Sequence, residues 1–92
     1  MAPVTEEILQ QQFAESVARV FVTLRKEKGY TSYESFAFDH EFPRAQYWRV
    51  ETGRHNLTLR TLTRLLIIHN LTLEDFLQRV IAEAASRRPS GT

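Results

Sequence analysis

Apolar residues recur at steps of three and four along most of the chain, which is the period of amphipathic α-helices. Between Thr5 and about Lys28, a single stripe is formed by Leu9, Phe13, Val17, Val20, Phe21 and Leu24. Thr5 suits the N-cap position, and Gly29 suits the end of a helix because it tolerates left-handed backbone geometry. This segment is predicted to form one long helix.

Two short helices are predicted to follow. The first begins after Thr31 or Ser32 and stops before Pro43, because a proline disfavours helical geometry in the residue that precedes it. The second runs from about Pro43 to Glu51, with Pro43 in its first turn, and Gly53 closes it. A short helix, a tight break and a second short helix form the pattern of a helix-turn-helix.

The remaining chain predicts two more helices, capped by Thr58 and Thr72 and separated by a left-handed stop at Asn70. The buried stripe of the fourth helix is predicted to contain Leu59, Leu62, Leu65 and Leu66. The apolar side of the fifth contains Leu73, Phe76, Leu77, Val80, Ile81 and Ala84. No segment shows sustained two-residue alternation, so the fold class is predicted as all-α, a compact five-helix bundle.

Ninety-two residues suffice for one domain, predicted over residues 1–86 with helical extensions at both ends and a flexible tail at 87–92. The chain has no cysteine, which excludes disulfides and thiolate zinc sites, and its three histidines lack metal-ligand spacing. No glycine-rich phosphate loop or nucleophile arrangement is present, so we expect neither an enzyme nor a bound cofactor. The chain shows no signal peptide and no apolar run of membrane-spanning length, and a cytoplasmic, nucleoid-associated location is expected.

Charge is distributed unevenly although the net charge is only +1. Between Phe42 and Leu73 the single acid is Glu51, and the basic residues are Arg44, Arg49, Arg54, Arg60 and Arg64. Such local enrichment is the electrostatic footprint of a nucleic-acid contact. Arg60 and Arg64, four residues apart on one helix, are better interpreted as a solvated face.

The segment from about Val17 to Leu77 resembles the phage repressor/Cro family, also called xenobiotic-response-element regulators. The similarity lies in Arg25-Lys26-Glu27-Lys28-Gly29, in Phe36-Ala37, and in the stretch RAQYWRVETG at 44–53. Its most specific part is Val50-Glu51-x-Gly53, followed by Thr58-Leu59-x-x-Leu62. The chain departs from the family pattern by carrying Glu41 where glycine is usual in the turn, and His69 where leucine is common. It also has one extra residue between Gly29 and Ala37.

The resemblance implies a lambda-repressor-like domain whose third helix enters the major groove of DNA. It places four residues at the base edges: Arg44, Ala45, Gln46 and Arg49. Arginine can donate two hydrogen bonds to guanine, glutamine can pair both ways with adenine, and alanine can contact a thymine methyl. Contacts to the DNA backbone would come from Ser32, Tyr33, Thr52, Arg54 and Asn56. Arg25 and Glu51 would form a structural ion pair between the first and third helices.

The sequence therefore predicts a sequence-specific, double-stranded-DNA-binding transcriptional regulator that acts as a homodimeric repressor. The dimer contact could lie on the N-terminal stripe around Leu9 and Phe13 or on the C-terminal stripe around Val80 and Ile81. One alternative is the antitoxin of a toxin–antitoxin pair, which would cover an apolar stripe with a toxin. Another is a protein-interaction module that keeps the same scaffold. Trp48 is expected to be packed in the core or against a partner, and His69 to be hydrogen-bonded at the core boundary.

Overall fold

The structure, a computed structural model, describes residues 4–54 and 57–87, and their regular secondary structure is all helical. In these residues there are five helices and no strand: α1 (Glu6–Glu27), α2 (Tyr33–Asp39), α3 (Arg44–Thr52), α4 (Leu59–Ile68) and α5 (Leu73–Ser86). The all-α class is thus confirmed. No helix within these ranges has the length and hydropathy needed to cross a membrane. The predicted tail after Arg87 lies outside the described residues.

Four of the five helices begin with a hydroxyl side chain that accepts a hydrogen bond from the backbone N–H three residues ahead. The capping residues are Thr5, Ser32, Thr58 and Thr72. For α2 the cap is Ser32, because its backbone is extended and its Oγ lies 3.1 Å from the Ser35 nitrogen. Pro43 occupies the N-cap position of α3 and not, as predicted, its first turn, so the helix begins one residue later at Arg44.

The core is a cluster of aromatic and branched side chains contributed by all five helices. Its buried members are Val17, Val20, Phe21, Leu24, Phe36, Ala37, Phe42, Tyr47, Val50, Leu65 and Phe76. The fully buried Phe36 ring stacks on Tyr47 at 4.8 Å between centroids, and Phe21 packs on Phe76 at 5.6 Å. Each such side chain stabilises the fold by about 1.5–3 kcal/mol through its removal from water. Helix α3 is therefore anchored through Tyr47 and Val50 to the centre of the molecule.

Helices α1 and α5 run antiparallel. Arg79 Nη2 lies 3.0 Å from Glu27 Oε1 near the end of α1, and Arg87, which follows α5, pairs with Glu15 near the middle of α1. Gly53, at the end of α3, also approaches α1 at this level, because a Cβ there would lie 3.4 Å from the Ala14 carbonyl oxygen. Before Ala14, Ile8, Gln11 and Gln12 of α1 line an open groove together with Ala84 and Arg87. The molecule measures 45 × 23 × 22 Å.

Several residues of the predicted apolar stripes are exposed, namely Leu9, Phe13, Leu59, Leu73, Leu77, Ile81 and Ala84. Leu9 and Phe13 are 55% and 61% exposed, whereas Val17, the next member of their stripe, is buried. Leu59 is 80% exposed at the first position of α4, so its predicted place in the buried stripe is wrong. Leu65 alone in that helix is fully buried.

The ion pair expected between Arg25 and Glu51 is present and buried. Arg25 Nε donates to Glu51 Oε2 at 2.8 Å, and Nη2 donates to Oε1 at 3.1 Å, while the two side chains are only 8% and 6% exposed. Arg25 Nη1 also donates to the Tyr30 carbonyl oxygen at 3.1 Å. The hydrogen bond to Glu51 raises the pKa of Arg25 despite its burial. The pair joins α1, α3 and the loop after α1.

His69 lies at the edge of the core between aromatic rings. Its ring stacks on Phe36 at 5.3 Å with an interplanar angle of 7° and lies 6.2 Å from Phe21. The expected hydrogen bond is absent at Nε2, which is buried without a partner among the described residues. Burial, and then the charges of Lys28, His40 and Arg79, lower the pKa of His69 to about 4, whereas Glu27 opposes the shift. The imidazole is therefore neutral in the folded protein.

We expect Glu51→Gln to lower the free energy of unfolding by about 3 kcal/mol, because it leaves the Arg25 guanidinium buried without a counter-charge. Urea denaturation monitored by circular dichroism measures the change. Glu34→Gln is the matched control, because Glu34 makes an exposed pair with Arg44 at 3.5 Å. It should change stability by less than about 0.5 kcal/mol. Equal urea midpoints for Glu51→Gln and the parent would contradict the role of the pair.

We expect the free energy of unfolding to decrease as the pH falls from about 6.5 towards 4, because of the protonation of His69. Above the unfolded-state pKa, His69 is neutral in both the folded and the unfolded protein, and the full stability is present. Between that pKa and about 4, the pKa in the folded protein, His69 takes up a proton only in the unfolded protein. Protonation therefore favours unfolding in this range. This loss is on the order of 2 to 3 kcal/mol. His69→Leu should remove this part of the pH dependence. Urea midpoints of the two proteins at several pH values test it, and parallel profiles would contradict it.

Candidate functional site

Helix α3 presents an outer face opposite its two core residues. Tyr47 and Val50 are buried, and the helical period places the outer face at Arg44, Ala45, Trp48, Arg49 and Thr52, all exposed. Gln46 lies beside this face and is half-buried. The structure therefore brings the four residues predicted to read bases onto one side of one helix, with Gln46 at its edge.

The outer face of α3 carries positive charge only. Arg44 and Arg49 are exposed on the helix and Arg54 is exposed just beyond its end, whereas Glu51 is turned inward to Arg25. Because its counter-charge is buried with it, Glu51 does not neutralise the outer face. This leaves a cationic helix surface about 13 Å long, at roughly 1.5 Å per residue.

Trp48 and Arg54 form one unit at the C-terminal end of α3. The Arg54 guanidinium carbon lies 5.8 Å from the centroid of the Trp48 ring, which is within the range of a cation–π contact. Trp48 remains 39% exposed, so it is not packed in the core, because Tyr47 and Val50 already fill the inward positions of α3. Its burial against a partner stays a prediction. The ring instead holds the Arg54 guanidinium at the edge of the cationic face.

The turn between α2 and α3 sets the position of this face. Glu41 has a φ of 56°, so it adopts the left-handed conformation that glycine would adopt at the same place. The Arg64 guanidinium donates hydrogen bonds to the carbonyl oxygens of His40 and Glu41, at 3.3 and 2.9 Å. It also lies 4.4 Å from the Phe42 ring centroid. Arg64 is solvent-exposed, as predicted for a solvated face, and its guanidinium in addition stabilises the turn.

Several residues predicted to contact the DNA backbone have side chains that are already hydrogen-bonded or packed within the protein. Ser32 Oγ accepts from the Ser35 N–H and donates to Ser35 Oγ, and the Thr52 hydroxyl donates to the carbonyl oxygens of Trp48 and Arg49. Tyr33 is half-buried and packs against the core. Asn56 lies outside the described residues. Among the described residues predicted to contact the DNA backbone, Arg54 is the one with an exposed charged side chain.

Acidic side chains border the start of the cationic face on the side of α2. Glu34 Oε2 lies 3.5 Å from Arg44 Nη1, and both side chains are more than half exposed, which makes the pair weak and easily exchanged. Phe38, 83% exposed, lies in the shallow groove between α2 and the start of α3 together with Asp39. Arg44 is therefore available to another acceptor at little cost.

The chain matches no model of a known protein family, no curated protein and no solved structure. Among residues 4–54 and 57–87 no three histidine, aspartate or glutamate side chains come together as metal ligands. The function is therefore inferred from the geometry and charge of the surface around α3.

Proposed function

We propose that this protein is a sequence-specific, double-stranded-DNA-binding transcriptional regulator in which α2 and α3 form a helix-turn-helix. The observation that carries the proposal is the outer face of α3, where every charged group is an arginine while the only acid of the helix is buried. A rigid cationic helix that projects from a small domain matches the major groove, which is about 12 Å wide.

The residues of this face suit both tasks of a DNA-reading helix. Arg44 and Ala45 lie in the first turn of α3, where a recognition helix approaches the bases most closely, and Arg49 follows one turn later. Gln46 is half-buried beside them and reads a base from the edge of the face. We assign the main phosphate contact to Arg54, because Trp48 positions its guanidinium and the hydroxyls of Ser32 and Thr52 are used within the protein.

We further propose that the regulator acts as a homodimeric repressor through the outer face of α5. From Leu77 to Ser86 the only charged residues are Arg79 and Glu83, and both are half-buried towards α1. The exposed positions of that stretch are Leu77, Gln78, Ile81, Ala82, Ala84, Ala85 and Ser86. Glu74 lies on the same side one turn before Leu77, so the uncharged part of the face begins at Leu77. A helix face whose centre has no charge can pair with its own copy without like-charge repulsion there, and charge depletion is typical of interface centres.

Arg44→Ala and Gln46→Ala should each weaken binding to the true operator by about 1–3 kcal/mol and relax the preference at one base position per half-site. Arg54→Ala should weaken binding to every duplex and reduce the slope of log affinity against log salt by about 1. The operator is first selected from a random duplex pool. The variants are then titrated against operator and scrambled duplex at two salt concentrations.

Arg79→Ala is the control for charge, because it also removes one positive charge but lies on α5, where Arg79 pairs with Glu27. It should leave the preference for the operator unchanged. Equal losses on operator and scrambled duplex for Arg44→Ala would make Arg44 a phosphate contact. Absence of binding to any duplex at low salt would refute the DNA-binding proposal and favour a protein-interaction module.

Leu77→Glu should weaken dimerisation at least tenfold, since it would place a carboxylate of each copy in an apolar contact that excludes water. Thr23→Glu, at an exposed position of α1, is the matched control and should not change the dimer affinity. Sedimentation equilibrium measures both. A parent protein that stays monomeric at high micromolar concentration would refute the homodimer.

A further inference from the structure

The indole ring of Trp48 is the largest apolar group on the outer face of α3. Trp48 is 39% exposed, although the adjacent Tyr47 is fully buried. Tryptophan offers a large and rigid apolar surface, and it is enriched where proteins contact other molecules. The ring is therefore available to whatever covers this face.

The helical period sets the direction of each side chain on this face. At about 100° per residue, Ala45 and Thr52 point straight away from the two buried residues of the helix. Trp48 and Arg49 lie on either side of this direction, each about 50° from it. Ala45 is short, and the Thr52 hydroxyl donates to carbonyl oxygens of its own helix. The long side chains nearest the centre of the outer face are consequently Trp48 and Arg49.

Arg54 restricts the orientation of the Trp48 ring. Its guanidinium carbon lies 5.8 Å from the ring centroid, so a cation covers one side of the indole. The remaining surface of the ring is the part that another molecule can contact. Because the ring is already held by Arg54, binding to it requires little further ordering of the side chain.

The charges around the ring define the chemistry of its partner. Arg44, Arg49 and Arg54 are exposed near it, while the acid of the helix, Glu51, is paired with Arg25. An apolar partner would remove water from these guanidinium groups without supplying negative charge, which is unfavourable. DNA supplies phosphates, and the base edges in its major groove carry one apolar group, the C5-methyl of thymine. Thymine is therefore the base that fits an apolar ring within a cationic face.

We propose that Trp48 is a specificity-determining residue, which selects a thymine in each half-site by packing its ring against the C5-methyl group. The proposal rests on the proposed binding of DNA by α3. It adds a contact to those assigned to Arg44, Ala45, Gln46 and Arg49. Because this contact involves a methyl group and no hydrogen bond, it can be removed from the DNA without altering the base pair.

The first test removes the methyl group from the DNA. In an operator selected from a random duplex pool, each thymine of a half-site is replaced in turn by uracil, which forms the same base pair. One such replacement should weaken binding of the parent protein about fourfold, the effect expected for one buried methyl group. With cytosine at that position, methylation at C5 should tighten binding about fourfold. No loss at any thymine would overturn the proposal.

The second test assigns the methyl contact to Trp48. Trp48→Ala should bind the thymine and uracil operators equally at this position, whereas Trp48→Phe should keep part of the difference because it keeps an aromatic ring. Ala45→Ser is the matched control, because Ala45 is the other apolar side chain of the face, and it should keep the full difference. A difference that persists in Trp48→Ala, or that Ala45→Ser alone abolishes, would overturn the proposal. Circular dichroism verifies that the variants are folded.

The third test observes the ring itself, because Trp48 is the single tryptophan of the chain. Operator binding should reduce the quenching of its fluorescence by acrylamide about twofold or more, since a packed ring excludes the quencher along with water. Quenching that the operator does not change would overturn the proposal. Quenching that is already weak in the free protein would also do so, because the ring would then be covered by protein.

These measurements separate failure of the thymine contact from failure of DNA binding. An operator that binds equally with thymine and with uracil at every position would refute the contact and keep the proposed regulator. Absence of binding to any duplex at low salt would refute both.

Discussion

The buried ion pair between Arg25 and Glu51 is the constraint on which the rest of this structure depends. It links the end of α1 to the end of α3 through two hydrogen bonds, and a third bond from Arg25 holds the loop before α2. Burying two charges is costly unless they are paired and hydrogen-bonded, so this geometry tolerates little displacement of α3. The same pair withdraws the only acid of α3 from solvent, which gives the opposite face its purely positive character.

Ion pairs with α1 also determine the charge of the other surfaces. Arg79 and Arg87 pair with glutamates of α1, and this leaves the outer face of α5 uncharged between Leu77 and Ser86. Although the net charge is only +1, three surfaces differ in charge: a cationic face on α3, an uncharged face on α5 and the first two turns of α1, whose charged side chains are Glu6 and Glu7. Each surface therefore suits a partner of different charge.

The turn between α2 and α3 shows how a small fold tolerates an unfavourable residue. A non-glycine residue in the left-handed region costs roughly 1–2 kcal/mol, and here Glu41 occupies that region. Arg64 compensates from α4 by donating to two carbonyl oxygens of the turn and covering the Phe42 ring. The placement of α3 relative to α2 consequently depends on α4, although α4 contributes only one fully buried side chain, Leu65.

Local chemistry in the sequence determined the number of helices, their caps at Thr5, Thr58 and Thr72, and the stops at Gly53 and Asn70, because these depend on neighbours within four residues. The resemblance pointed to the Arg25–Glu51 pair.

Only the tertiary structure decided which parts of each apolar stripe are buried. Leu9, Phe13 and Leu59 have the correct period, but periodicity identifies a face and not how far the neighbouring helices extend along it. The same holds for Arg64, whose acceptors lie 23 and 24 residues away, and for His69, whose aromatic neighbours come from α1 and α2. Contacts at such separation leave no pattern in a single sequence, since they depend on how the helices pack together.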